Sequence, residues 1–369
     1  MRLGVIGVGA NVFNMHAPAI KANGLEVVGV ADVNLTAAEQ RAEDLGCPAF
    51  ADHRDLLART RPDAVAVLVP HPLHATIAID CLRAGAHVLV EKPIAAEVAE
   101  ADRMIETAAQ VGGRLAVNLQ HRTRDEVRAA RQIIQDGRLG EVQRVHTTAI
   151  WTRTARYYQL AGWRGTWRGE GGGVLMNQSP HSLDLVCYLA GQPRRVVAWN
   201  RTLYHSIETE DTSQAMLEWS NAAMGSLFVS TAQMGEAERL EIAGTRGVLL
   251  LERGKLTLWQ SDADLRDFLA HTPEPFARVP LHPVEVEIEH HAGAGEHRAI
   301  YANFVNAIEQ DEPLVADGAD GRQSLELANA LIYSSATGKQ VELPLDRARY
   351  SRLLQGLRVG RTLAGDDAQ

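Results

Sequence analysis

The sequence predicts an α/β N-terminal domain over residues 1–120 joined to an α+β C-terminal domain over 121–369. Three observations predict this. Short apolar runs alternate with helical stretches as far as Asn118. The first run ends in a glycine turn and the second in an acid. Beyond Asn118, period-2 alternation between turn residues describes an open, mostly antiparallel sheet.

In chain order, residues 3–6 form a first short strand, followed by Gly7-Val8-Gly9-Ala10-Asn11-Val12. This resembles G-x-G-x-x-G. Gly7 permits the tight bend, and Gly9 lets the backbone approach a pyrophosphate at the next helix's N-terminus. Val12 replaces the third glycine, so the spacing takes its weight from context. A second strand over 25–31 delivers Asp32, placed to accept from a ribose 2′-hydroxyl. A carboxylate there repels a 2′-phosphate, which favours NAD over NADP. The competing role for Asp32 is to cap the helix after Leu35. Six strands interleaved with helices over about 120 residues describe a doubly wound Rossmann domain.

Residues 63–93 carry the densest signals. After a short helix at 52–59, an apolar run at 64–69 is too short for a helix and is bounded by Pro70. It reads as a strand buried on both faces. A helix over 72–83 stops at Gly85, which suits a left-handed cap. A second buried strand at 87–90 then delivers Glu91-Lys92-Pro93. Ligands bind outside the carboxyl ends of such strands, so Lys92 stands at the sheet's functional edge. Pro93 fixes the backbone after it. A helix at 97–110 and a strand at 115–118 complete the domain.

In the second domain an amphipathic helix at 124–135 ends at Gly137. Strands are predicted at 142–151, 195–202, 212–219, 223–229, 239–242, 248–251 and 256–259, with helices at 180–189, 298–309 and 321–337. The chain from Gly360 reads as a frayed end. Gly171-Gly172-Gly173 allows a tight backbone beside a ligand. Pro180 suits the first turn of a helix, which places His181 near its N-terminus and Asp184 at i+3. The helix dipole there disfavours the cationic imidazole and keeps a usable base. The plainer alternative is a histidine that caps or packs.

Aromatics make up only 5% of the chain, yet Tyr157, Tyr158, Trp163 and Trp167 cluster with Arg153, Arg164 and Arg168 just before the glycines. A sugar offers apolar C–H faces and a polar rim, which aromatic platforms and guanidinium donors suit. Arg153, Tyr157, Tyr158 and Trp163, with Asn177 and Asp184, are read as substrate lining; a packed loop or subunit contact is the alternative. His290, His291 and His297 with Glu289 and Glu296 lack a recognised ligand spacing, and no metal is expected. His297 stays open to reaching a substrate or a neighbouring subunit.

Composition narrows the function classes. A chain of 369 residues can bury two large cores, and 46% hydrophobic with 22% charged residues is ordinary for a globular protein. A net charge of -9 and a pI near 5.9 argue against nucleic acid or an anionic membrane as partner. No apolar run approaches the roughly 20 residues of a membrane span. The opening MRLGVIG runs into a strand without a signal-peptide layout. Cys47, Cys81 and Cys187, odd in number and widely spaced, fit buried thiols in a reducing cytoplasm.

Taken together, Gly7-x-Gly9, the A-G-x-H-V run at 84–88, Glu91-Lys92-Pro93 and G-G-G-x-L-x-N-x-x-x-H-x-x-D at 171–184 resemble the Gfo/Idh/MocA oxidoreductases. The resemblance covers nearly the whole chain, including 303–314 and 321–344. It implies a Rossmann domain and an open antiparallel sheet that often mediates oligomerisation, here as a homodimer or homotetramer. It also implies NAD(P)-linked oxidation of a secondary hydroxyl on a sugar, cyclitol or sugar derivative, or reduction of the keto form.

Carried over by residue, Lys92 matches the family's active-site lysine and His181 its acid/base histidine. Pro70, His71 and His74 match the loop beside the nicotinamide. The implied cofactor set is Gly7, Gly9, Ala10, Asn11, Val12, Asp32, Pro70, His71, His74, Glu91, Lys92 and Gln120. Asn177, a third member of the catalytic set, stands where inositol dehydrogenases of the family carry Asp. An amide cannot charge-stabilise the histidine as a carboxylate does, which weakens an inositol assignment unless Asp184 compensates. The expected chemistry is proton removal by His181 as hydride leaves for the nicotinamide, with Lys92 stabilising the alkoxide. Besides a dehydrogenase, a redox-neutral glycosidase or lyase using NAD transiently and a non-catalytic cofactor sensor fit the same scaffold.

Overall fold

The computed structural model describes residues 1–9 and 11–360; Ala10 and the end expected to fray after Gly360 lie outside the described residues. The chain forms two compact units. The first is built on a parallel sheet of β1 (Arg2–Ile6), β2 (Glu26–Ala31), β3 (Ala49–Phe50), β4 (Ala64–Val67), β5 (His87–Val90) and β6 (Leu115–Val117). Their order is β3-β2-β1-β4-β5-β6, so the winding reverses between β1 and β4, the expected doubly wound pattern. All four residues of β4 are fully buried, as a strand covered on both faces requires.

Helices α1 (Val12–Ala22), α2 (Leu35–Leu45), α3 (His53–Thr60), α4 (His71–Arg83) and α5 (Val98–Val111) connect the strands. Local chemistry sets their ends. Asn34, not Asp32, caps α2 by accepting from the Ala37 N–H at 3.3 Å. Gly85 follows α4 at φ 88°, the left-handed stop that the sequence predicts.

The second unit carries α6 (Asp125–Gln135), β7 (Val142–Trp151), α7 (Ala155–Gln159), α8 (Val174–Asn177) and α9 (Pro180–Ala190). Then come β8 (Arg195–Arg201), β9 (Thr212–Glu218), β10 (Met224–Ser230), β11 (Glu236–Gly244), β12 (Gly247–Glu252), β13 (Lys255–Gln260), α10 (Leu265–His271) and β14 (His282–Val284). The chain ends through α11 (His297–Glu309), α12 (Gly318–Thr337), β15 (Val341–Glu342) and α13 (Arg347–Arg358). The nine-stranded sheet runs β14-β13-β12-β11-β7-β10-β9-β8-β15. Every pairing in it is antiparallel except β7 with β10. Burial alternates along β9, where Ala215 and Leu217 point inward and Met216 is half-exposed.

The division differs from a single cut at residue 120. The first unit also takes Arg168–Gly171 and Ala292–Leu325, so α11 belongs to the Rossmann core. Its Ile300, Tyr301 and Phe304 join Leu3, Val5, Phe13 and Ile20 in one buried cluster. The helical spacing of Ile300, Phe304 and Ala307 explains how a late segment can face this core. Cys81 and Cys187 are buried, whereas Cys47 is only half-buried. Among the described residues no helix is long and apolar enough to cross a membrane.

Candidate active site

In the first unit, the turn after β1 is shaped by two close approaches. Gly7 sits at φ 96°, and a Cβ on it would stand 2.7 Å from the Leu68 carbonyl group at the end of β4. A Cβ on Gly9 would reach 3.0 Å from the Asp32 carboxylate. That carboxylate accepts from the Gly9 N–H at 2.8 Å and from the Asn34 N–H at 2.9 Å. Turn and acid are therefore one structure at the switch point of the sheet. Asn11 precedes α1 without a side-chain cap, and Val12 begins the helix in place of the third glycine.

The Glu91-Lys92-Pro93 run follows β5 and contains a cis Lys92–Pro93 bond. His74 is fully buried, with Nδ1 2.9 Å from the Pro93 carbonyl and Nε2 2.7 Å from that of Val69. It ties the loop after β4 to the loop after β5, and burial pushes its pKa down. His71 lies 3.2 Å from the Glu170 carbonyl; burial, then His74 and Lys92, lower it to about 3. Both rings are thus held neutral. Glu91 turns inward. Its Oε1 accepts from His16 Nε2–H at 2.9 Å and from the Asn118 amide, and its Oε2 from the Lys92 N–H at 3.1 Å. Burial alone would raise this carboxyl. The His16 hydrogen bond and the charges of His16, Lys92 and His297 override burial and lower it to about 2.

In the second unit, a Cβ on Gly173 would fall 1.9 Å from the Glu210 carbonyl oxygen. The packed Glu210 backbone therefore requires glycine at this position. Glu210 Oε1 accepts from the N–H groups of Gly173 and Leu175 at 2.8 and 3.0 Å, fixing the start of α8. Asn177 ends α8, and buried His181 and Asp184 lie in α9 behind Pro180.

The Tyr157 hydroxyl donates to Asn177 Oδ1 at 3.3 Å and accepts from Gln178 Nε2 at 2.9 Å and from Arg164. The Arg164 guanidinium lies 4.4 Å from the Tyr157 ring centre and 4.7 Å from that of Trp163; Arg153 lies 5.3 Å from Tyr157. The structure thus gathers Arg153, Tyr157, Trp163 and Asn177. Tyr158 stacks edge-on against Tyr157 and shares a 2.8 Å hydrogen bond with Thr231. Tyr158 and Arg164 also line a cleft of about 510 Å³ with His205 and Glu208, but His181 and Asn177 are not in its wall.

Residues 1–119 match the profile of the oxidoreductase family with NAD-binding Rossmann fold, Gfo/Idh/MocA, and residues 127–250 match the Gfo/Idh/MocA C-terminal domain. The chain belongs to this family. It is 29% identical to D-glucoside 3-dehydrogenase of Escherichia coli (strain K12), over 93% of this chain and 97% of that protein. It is 25% identical to inositol 2-dehydrogenase of Rhizobium meliloti (strain 1021), over 93% of this chain and 99% of the relative. Among solved structures, the WlbA dehydrogenase from Bordetella pertussis, in complex with NADH and UDP-GlcNAcA, matches with a TM-score of 0.79 at 30% identity. That match spans 94% of this chain and 99% of that one.

A Gfo/Idh/MocA dinucleotide fits what the first unit offers. The glycine turn and Asp32 lie together after β1 and β2, where a dinucleotide's ribose and phosphates would meet them. Gln120 Oε1 and Asn118 Oδ1 are buried acceptors without hydrogen-bond partners among the described residues. The other histidines take structural partners. His291 Nδ1 lies 2.9 Å from Asp125 Oδ1, and His290 pairs with the same carboxylate at 3.4 Å. His297 is not in that group; it packs edge-on against His16 with ring centres 4.5 Å apart. His16, Glu91 and His297 place ligand-type atoms within 4.8 Å of one another. Two ligands on one zinc ion stand about 3.4 Å apart. The 2.9 Å separation of His16 and Glu91 is instead that of a hydrogen bond. Neither His16, Tyr301 nor Asn118 has a role readable from sequence. The only hint is a histidine on a helix face that ought to be apolar.

Proposed function

We propose that this family member oxidises a secondary ring hydroxyl of a hexopyranoside, or reduces the corresponding keto sugar, with NAD. The observation that carries the substrate class is the Tyr157 cluster. An aromatic ring flanked by two guanidinium groups is hydrogen-bonded directly to Asn177. A glycoside ring presents apolar C–H faces to such a platform and hydroxyls to its rim. Asn177 in place of a carboxylate favours a glycoside over inositol, in line with the D-glucoside 3-dehydrogenase likeness.

In this reading His181, at the N-terminus of α9, accepts the hydroxyl proton, and Lys92 donates to the same oxygen as charge develops. The bound nicotinamide supplies the hydride acceptor. Gly7, Gly9 and Asp32 hold the dinucleotide, and the Asp32 charge selects against a 2′-phosphate. The test is NADH absorbance on mixing the protein with NAD or NADP and a panel of glucosides, free hexoses and inositols. A signal with glucosides and NAD, reduced about 10²–10⁴-fold in His181→Ala, supports the reading. Silence across the panel with NAD bound would turn the assignment to a redox-neutral reaction.

The C-terminal sheet further supports self-association. By register, Trp199, Met216 and Met224 share one face and are 52%, 49% and 63% exposed. We infer a homodimer or homotetramer formed through this face. Sedimentation at micromolar concentration should give at least a dimer, and Met224→Lys should shift it towards monomer.

A further inference from the structure

Glu91 makes contacts that the reaction scheme does not use. A carboxylate accepts through two oxygens, and here three donors converge on them from separate segments. Oε2 takes the N–H of Lys92 itself, and Oε1 takes His16 Nε2–H from the middle of α1 and Asn118 from the segment after β6. An anionic carboxylate can only accept, so Nε2 of His16 carries the hydrogen. Its other nitrogen, Nδ1, shares a 3.0 Å hydrogen bond with the Tyr301 hydroxyl, 285 residues away on α11. His16 and Tyr301 are fully buried, so water replaces neither partner.

We propose that Glu91 is a positioning residue for Lys92, held in register by a relay from Tyr301 through His16 that locks the late helix α11 to the catalytic edge of the sheet. The proposal rests on the reading of Lys92 as the alkoxide-stabilising group. Oε2 fixes the Glu91–Lys92 peptide, and the carboxylate sets a permanent negative charge beside the ammonium. The groups facing Glu91 are His16 from α1, His71 and His74 from α4, His297 and Tyr301 from α11, and Lys92. Of these, His71 and His74 act on it only through space. His297 Nε2 stands at 3.8 Å, beyond hydrogen-bond length, so among the described residues His16 is the histidine that anchors it.

The test compares His16→Ala, His16→Gln and Tyr301→Phe in the full chain, reading kcat, KM, pH profile and acid-unfolding midpoint. His16→Ala should lower kcat about 10²-fold with little change in sugar KM, the size expected when a reacting group is misplaced by about 1 Å. It should also add an acid limb to kcat and raise the acid-unfolding midpoint, because Glu91 without its donor protonates more easily. His16→Gln, whose amide can still donate, should recover most of kcat and remove the new limb. Tyr301→Phe should fall between the two.

An unchanged kcat and pH profile in His16→Ala would overturn the proposal. So would a loss that His16→Gln does not rescue, which would make His16 a packing residue only. Stoichiometric zinc retained by the purified protein and lost in His16→Ala would overturn it as well, since a metal-bound Nε2 could not donate. Lys92→Ala separates the two levels. Intact turnover there defeats the reading of Lys92 itself. Lost turnover there with a normal His16→Ala defeats only the relay.

Discussion

The surroundings of Glu91 and of Tyr157 are held together in opposite ways. Around Glu91, three donors from separate segments meet one carboxylate, and His16, His71 and His74 beside it are buried. Around Tyr157, one stretch of about 25 residues supplies Arg153, Arg164, Asn177 and Gln178, through a single hydroxyl and stacked guanidinium groups that stay partly open to water. Buried, saturated networks have one low-energy arrangement, because each lost bond leaves an uncompensated polar group. Stacked arginines can slide over an aromatic face at little cost. In the proposed reading, the first arrangement suits a lysine that must meet a developing alkoxide in fixed geometry. The second suits the recognition of ring substituents.

The largest expected effect tests that contrast directly. Lys92→Met keeps the length of the side chain and removes its donors, so kcat should fall about 10²–10³-fold while sugar KM changes little. Tyr157→Phe keeps the ring and removes the hydroxyl that holds Asn177. It should raise sugar KM about 3–10-fold, the worth of one ordinary hydrogen bond, and leave kcat nearly intact. Steady-state kinetics on one glucoside checks both. Equal falls in kcat for the two variants would break the division into a fixed reaction edge and an adaptable recognition surface.

The two regions were also unequally legible. The parallel sheet, the glycine turn, Asp32 and the edge position of Lys92 follow from local pattern, because each is written in adjacent residues. The Tyr157 cluster could be read for the same reason: Arg153 to Asn177 is nearly contiguous. The Glu91 relay could not, since His16 and Tyr301 meet only after the chain returns from the second unit. Strand β3 is two residues long, and α7 and α8 are five and four, too short to show a period. The tight backbone predicted at Gly173 is enforced by the Glu210 carbonyl, a contact no spacing encodes.

That last residue gives the second prediction. Gly173→Ala drives a Cβ into a backbone oxygen at 1.9 Å, which cannot rotate away. Overpacking of this kind costs about 1–3 kcal/mol or more. Gly9→Ala puts its Cβ 3.0 Å from the end of the Asp32 side chain, which can shift. Thermal melting should therefore drop clearly for Gly173→Ala and little for Gly9→Ala, whereas NAD affinity by calorimetry should fall for Gly9→Ala. A reversed order of melting temperatures would show that the Glu210 carbonyl yields to the added methyl group more readily than its 1.9 Å approach implies.

The smallest effect lies in acid. Burial, then the charge of His16, lowers His297 from 6.5 to about 4, so the folded chain refuses a proton that the unfolded chain accepts. Stability should fall as pH drops from about 6.5 to about 4, with a slope of up to about 1.4 kcal/mol per pH unit for one proton. Glu91 acts lower down. Its carboxyl falls from 4.5 to about 2, so its contribution is complete above about 4.5 and is lost as pH falls towards 2. His71, lowered to about 3 by burial, then His74 and Lys92, adds a limb parallel to that of His297. His297→Phe should thus make the pH 6.5–4 slope shallower without abolishing it, and leave the Glu91 limb in place. Urea midpoints by circular dichroism between pH 7 and 4 would show this. An unaltered slope in His297→Phe would mean that His297 is solvated in the fold, and that enclosure around Glu91 is looser than its hydrogen bonds imply.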